Sequence, residues 1–171
     1  MAKWPNVPDC YGWLGLDMRG NWFMRDEAAQ ACGQFDANLP GCKGSELRHE
    51  KLIEFIGRNY AANAQGQWFF QNGPQRVFVE LQATPLIWRL QTDNALHDHI
   101  GRLAQVQACW LDELGHLYLQ CDLGFGLLHS QDMLQAAQLI ERGIWQPNEA
   151  FQAQLPHQFG YVKSPQLPLK Q

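Results

Sequence analysis

The chain has 171 residues, 46% of them hydrophobic and only 18% charged, with 13 Lys and Arg against 17 Asp and Glu for a net charge of −4. That is one domain's length, enough to bury a core without staples. The basic residues are scattered, so no patch for phosphate-rich partners forms and nucleic-acid binding is excluded.

The N-terminal stretch lacks an apolar run of leader length, and no segment approaches the ~20 apolar residues of a membrane span. Leu16-Asp17-Met18-Arg19-Gly20-Asn21-Trp22 places a polar, Gly-bearing turn before an aromatic strand. The same pattern returns at Asn63-Ala64-Gln65-Gly66-Gln67-Trp68 and at Asp112-Glu113-Leu114-Gly115-His116-Leu117. Glycine supplies the positive φ such turns need, and the residues after it suit strands. These echoes predict repeated β-hairpins, with positive φ at two or more of Gly20, Gly66 and Gly115 and a strand after each. The segment 27–44 gives no clear element; its Gly41-Cys42-Lys43-Gly44 is too short for a phosphate loop. Ser45 reads as an N-cap, and Leu52, Ile53, Phe55 and Ile56 supply the stripe of a helix over 45–59. Strands follow over 76–81 and 86–90, separated by Thr84-Pro85. The stretch 91–104 is ambiguous. A hairpin over 105–111 and 116–121 comes next, then a short strand over 123–128 weakened by its glycines. Ser130 reads as the cap of a helix over 131–142, closed by Arg142 and Gly143. Proline-rich sequence follows, with a loose tail over 164–171.

Titratable and nucleophilic residues form no recognisable constellation. His97-Asp98-His99 is the densest cluster, and alternate histidines on a strand share a face, but no third metal ligand is nominated. Cys10, Cys32, Cys42, Cys109 and Cys121 are odd in number and show no paired spacing. They read as reduced thiols in a cytoplasmic setting, with Cys109 and Cys121 the one pair able to meet across a hairpin. In strands these two behave as small hydrophobes. Serine occurs only at 45, 130 and 164, two of them read as caps, which argues against a serine nucleophile. Asp112 and Glu113 fit a turn. The seven Trp read as packing before they read as a ligand-lined pocket.

Asp17, Gly20 and Trp22, the helix from Ser45, Trp68-Phe69-Phe70, Pro74, Val77-Phe78-Val79-Glu80 and Pro85 together form a pattern. In it the first half of the chain resembles a group of uncharacterised proteobacterial proteins classed as a domain of unknown function. More distantly it is similar to a second such family, built of repeated α+β motifs and linked to signal transduction. The 27–44 segment is an insertion relative to that pattern. The resemblance implies an α+β fold with two similar halves and assigns no catalytic residue.

The expected protein is thus a single α+β domain over 1–171, with repeated antiparallel hairpins packed on at least two helices and possible halves at 11–85 and 86–162. Two functions are carried forward. One is an intracellular binding or regulatory module acting on an unknown small molecule or protein, without cofactor or metal. The other is an enzyme of unknown class with a site assembled from scattered residues. A cleft in which two or more titratable groups converge would favour the enzyme.

Overall fold

The computed structural model describes residues 7–165. Strands β1 (Cys10–Leu16) and β2 (Trp22–Met24) lead into helix α1 (Glu27–Cys32), a 3₁₀ turn at Phe35–Ala37 and the short strand β3 (Ser45–Glu46). Helix α2 (Glu50–Arg58) precedes β4 (Tyr60–Ala62), β5 (Trp68–Asn72) and β6 (Gln75–Leu81). The remainder runs β7 (Leu86–Leu90), β8 (Leu96–Asp98), β9 (Leu103–Ala104), β10 (Val106–Leu111), β11 (Leu117–Cys121), β12 (Gly124–Leu128), α3 (Met133–Glu141), β13 (Asn148–Glu149) and α4 (Leu155–Phe159). The fold is α+β, as expected.

The chain divides into two units. One holds Asn21–Gln82 with the described residues up to Asp17 and from Tyr161 onward; the other holds Met18–Gly20 and Ala83–Gly160. Each contains one sheet. The first sheet has the order β3-β2-β1-β6-β5-β4, and the second β13-β10-β11-β12-β7-β8-β9. Read from the other edge and without β13, the second repeats the first strand for strand. In each, two three-stranded meanders meet through one parallel pair, β1 with β6 and β7 with β12. Strands at the centre of such a sheet are covered on both faces and read as continuous apolar runs. Phe78, Val79, Glu80 and Leu81 of β6 are all buried, as are Leu86, Ile87 and Trp88 of β7. The indole N–H of Trp88 donates to Leu119 O at 2.9 Å, so this fully buried ring leaves no polar atom unsatisfied.

Within the second unit, β9 and β10 occupy opposite ends of the six shared strands, yet only Gln105 separates them. In a flat sheet those ends would lie about 24 Å apart at about 4.8 Å per strand. One linking residue reaches about 7 Å, so this sheet must roll until its edges approach. Gln105 N donates to the Asp122 carboxylate and Gln105 O accepts from Asp122 N, which fixes the join.

Two helix starts differ from expectation. Ser45 is not a cap: it pairs with Met24, and Glu46 with Phe23, because the open edge of β2 captures the segment. The helix begins at Glu50, where the His49 ring accepts from Leu52 N. Ser130 is likewise exposed and caps nothing; the buried His129 ring accepts from Gln131 N at 3.0 Å, and α3 proper begins at Met133 after a 3₁₀ turn. Gly143, with φ +75°, closes that helix as expected.

The reading of five reduced thiols is corrected. Cys32 and Cys42 form a disulfide with their Cα atoms 5.1 Å apart, closing the 27–44 segment into a loop. Cys10, Cys109 and Cys121 are free. Cys109 pairs with Leu119 and Cys121 with Val106, so the two cysteines are not opposite one another. No helix among the described residues is long and apolar enough to cross a membrane. Of the tail expected over 164–171, residues 166–171 lie outside the described residues. Ser164 does not lie loose: its hydroxyl donates to Glu80 at 2.6 Å.

Candidate functional site

The site grows out of the hairpin turn. Gly20, Gly66 and Gly115 have φ of +87°, +79° and +87°, and each is followed by a strand. In every case the residue three before the glycine closes the turn. Asp17 N donates to Asn21 O, Asn63 N to Gln67 O and Asp112 N to His116 O, at 2.9–3.0 Å. Two further copies, at Gln91–Ala95 and Asp98–Arg102, went unread in the sequence. A side-chain bond from the first residue to the fifth braces most copies: Asp17 with Asn21, Asn63 with Gln67, Asp98 with Arg102, and Asp112 with His116. By strand order, Gly66 and Gly115 occupy equivalent turns of the two sheets, while the counterpart of Gly20 is Asn94.

The Asp112 turn carries the most chemistry. Its side chain is fully buried and accepts from Leu114 N, His116 N, the Tyr118 hydroxyl and the His116 ring. Burial disfavours the charged carboxylate, but these bonds outweigh it and hold the Asp112 pKa below its ordinary value. His116 is thereby clamped through Nδ1, 3.2 Å from the carboxylate.

His116 stands at a pocket of about 290 Å³ in the second unit. Leu117, Leu127 and Leu128, all buried, form its apolar surface, with the flexible side chains of Met18 and Met133 beside them. Arg19, His116 and Ser130 supply the polar groups. A small, mainly apolar concavity with a few polar groups is the usual form of a small-molecule site.

The residues singled out in the sequence fall elsewhere or take structural parts. His97 sits in β8 opposite Arg89. His99 lies in the neighbouring turn, where its Nδ1 accepts from Ile87 N at 3.2 Å. Burial, with some help from Arg102 and against Asp98, pushes the His99 pKa down to about 4. Among the described residues no group of three His, Cys, Asp or Glu side chains could hold a metal. Burial raises the pKa of Cys10 and Cys109 and pushes the Cys121 thiol to about 12, the opposite of an activated nucleophile. Trp22, Trp88 and Trp145 are core residues; Trp4 lies outside the described residues. Glu113 accepts from Gln152 N.

Two groups were missed. Asp132 accepts from Arg89 and from Leu90 N, tying the start of α3 to β7. Glu80, buried in the first unit, is raised in pKa by burial, against the Ser164 hydrogen bond and the Arg25 charge. Each depends on a partner more than 40 residues away in sequence, so no local signal exposes it.

This is a two-sheet α+β protein with a small apolar pocket beside an Asp–His turn. The chain belongs to the unknown-function family DUF2944, described as "Protein of unknown function (DUF2946)", whose profile matches residues 1–166. A crystal structure of a DUF1285 family protein from Silicibacter pomeroyi DSS-3, also an unknown-function family, is similar with a TM-score of 0.51 at 11% identity, over 78% of this chain and 70% of that one. A DUF1285 family protein from Shewanella baltica OS155 gives 0.48 at 14% identity, over 74% of this chain and 91% of that one. The first of these shows a shared fold, in line with the distant resemblance read from the sequence. No curated protein matches the chain.

Proposed function

We propose that this protein is a non-catalytic binding module whose ligand is a small acid with an apolar body, held in the pocket of the second unit. The lining of that pocket carries the reading. Arg19 offers a permanent positive charge, Ser130 and His116 offer hydrogen bonds, and the remaining surface is Leu and Met. The pocket of about 290 Å³ suits a ligand at the small end of the usual range. Among the lining residues His116 is the single imidazole, and acid–base chemistry generally recruits a second proton-transferring side chain.

The alternative, an enzyme of unknown class, would find its nearest set of residue types in Asp112, His116 and Ser130. No hydrogen bond joins Ser130 to His116 among the described residues. A cytoplasmic setting has the free thiols Cys10, Cys109 and Cys121 in its favour and the disulfide against it.

The test is calorimetry and thermal shift with octanoate, octyl phosphate and octanol. The acids should bind more tightly than the alcohol, and a ligand at one hundred times its Kd should add about 2.7 kcal/mol of stability. Met133→Trp, which fills the pocket, should abolish binding, and Arg19→Gln should erase the preference for acids. Equal binding of all three probes, or binding that survives Met133→Trp, overturns the proposal. Labelling of Ser130 by a fluorophosphonate would establish the enzyme instead.

A further inference from the structure

We propose that Cys32 and Cys42 form a reversible thiol–disulfide exchange site, opened by a low-molecular-weight thiol at Cys32, with Arg25 keeping the loop docked in both redox states. The two sulfurs differ in access. Cys32 ends α1 and is exposed, whereas Cys42 is fully buried. Exchange proceeds by attack of a thiolate on an accessible disulfide sulfur, so this asymmetry selects Cys32 as the sulfur attacked and Cys42 as the leaving group.

The side chain beneath the loop is suited to that departure. Arg25 is buried, and every hydrogen bond it donates goes to a backbone carbonyl: Cys42 at 2.9 Å, Gly12 and Ala29 at 3.2 Å, and Gly33 at 2.6 Å. Ala29 and Gly33 flank Cys32, so one guanidinium grips both arms of the loop without using the S–S bond. The guanidinium stays bound to the Cys42 backbone when the sulfur departs, so the leaving residue is held in place. Cys32 itself needs no channel, because it stands exposed at the end of α1.

The chemistry balances with the thiol as reductant. A thiolate RS⁻ attacks Cys32 Sγ and forms an RS–S bond. The bond to Cys42 breaks, and its electron pair leaves on Cys42 Sγ, which takes a proton from water. A second RS⁻ attacks the R-bearing sulfur of the mixed disulfide and releases RSSR and the Cys32 thiolate. The protein gains two electrons and two thiol molecules are oxidised.

The test uses the full chain in glutathione buffers of graded reduced-to-oxidised ratio, quenched by acid and read by mass spectrometry. The pair should pass reversibly between disulfide and dithiol while circular dichroism stays native. The Cys42→Ser variant should form a glutathione adduct at Cys32, and Cys32→Ser should form none at Cys42 until denatured. Hydrogen exchange over 27–44 should stay slow in the reduced wild type and become fast in reduced Arg25→Met, with Arg25→Lys as the milder variant. A disulfide that resists every glutathione ratio until the protein unfolds overturns the proposal, as does an adduct on native Cys42. Fast exchange across the loop in the reduced wild type removes the role given to Arg25.

Discussion

Gly20 and Gly115 share φ +87° and the same turn, but their surroundings differ. A Cβ at Gly115 would meet nothing within 4 Å, whereas one at Gly20 would lie 2.8 Å from His99 Cβ and 3.7 Å from Ile87 Cβ. Alanine at either place incurs the left-handed backbone penalty of about 1–2 kcal/mol, offset by about 0.4–1 kcal/mol from the stiffer unfolded chain. Gly115→Ala should therefore cost about 1 kcal/mol. Gly20→Ala adds an overpacking penalty of about 1–3 kcal/mol, because His99 Cβ lies next to the backbone and cannot swing away. Asparagine tolerates the left-handed region, and Asn94 already occupies the glycine's place in its own turn at φ +68°. Gly115→Asn should thus be the mildest change and Gly115→Val the worst at that site. Urea unfolding of the four variants against wild type checks the series. The steric argument fails if Gly20→Ala and Gly115→Ala agree within about 0.5 kcal/mol. The backbone argument fails if Gly115→Ala is neutral.

Asp132→Ala should cost about 3 kcal/mol, since it strips the hydrogen-bond partner from the buried Leu90 N–H and from Arg89; Ser130→Ala should stay within about 0.5 kcal/mol, and a reversed order of urea midpoints would restore Ser130 as the cap. His99 should govern acid stability. Its ring stays neutral in the folded protein down to about pH 4, while the unfolded chain takes up a proton near 6.5. Stability should hold above pH 6.5 and fall between 6.5 and 4, by up to about 3 kcal/mol at 1.36 kcal/mol per pH unit. His99→Gln should flatten that window, and an NMR titration of the His99 ring centred near 6.5 would contradict it.

Local signals were legible and long-range ones were not. The turns at Asp17, Asn63 and Asp112 could be read because a side chain acting within five residues and a glycine of positive φ leave a compact signature. Their kin at 91–95 was hidden because Gln91 and Asn94 replace the acidic residue and the glycine. The one at 98–102 was hidden because Asp98 and Gly101 were overshadowed by two histidines. Ser45 and Ser130 misled because a serine before an apolar stripe suits a cap, and nothing nearby reveals that β2 takes Ser45 as an edge partner or that His129 does the capping. The disulfide was invisible because pairing 32 with 42 depends on how the loop folds back over Arg25. The pocket was invisible because its lining comes from separated stretches near 18, 116, 127 and 133.

The single-residue join at Gln105 has a counterpart in the first sheet, where residues 47–59, with all of α2, span the same step from third strand to fourth. One strand plan thus accepts either a joint of minimal length or a helical insert at that step without losing its order. For protein engineering, this marks the step as a grafting point. Sequence spliced at the exposed Gln105 enters where the sister sheet already carries cargo, provided that the splice keeps the paired bonds to Asp122.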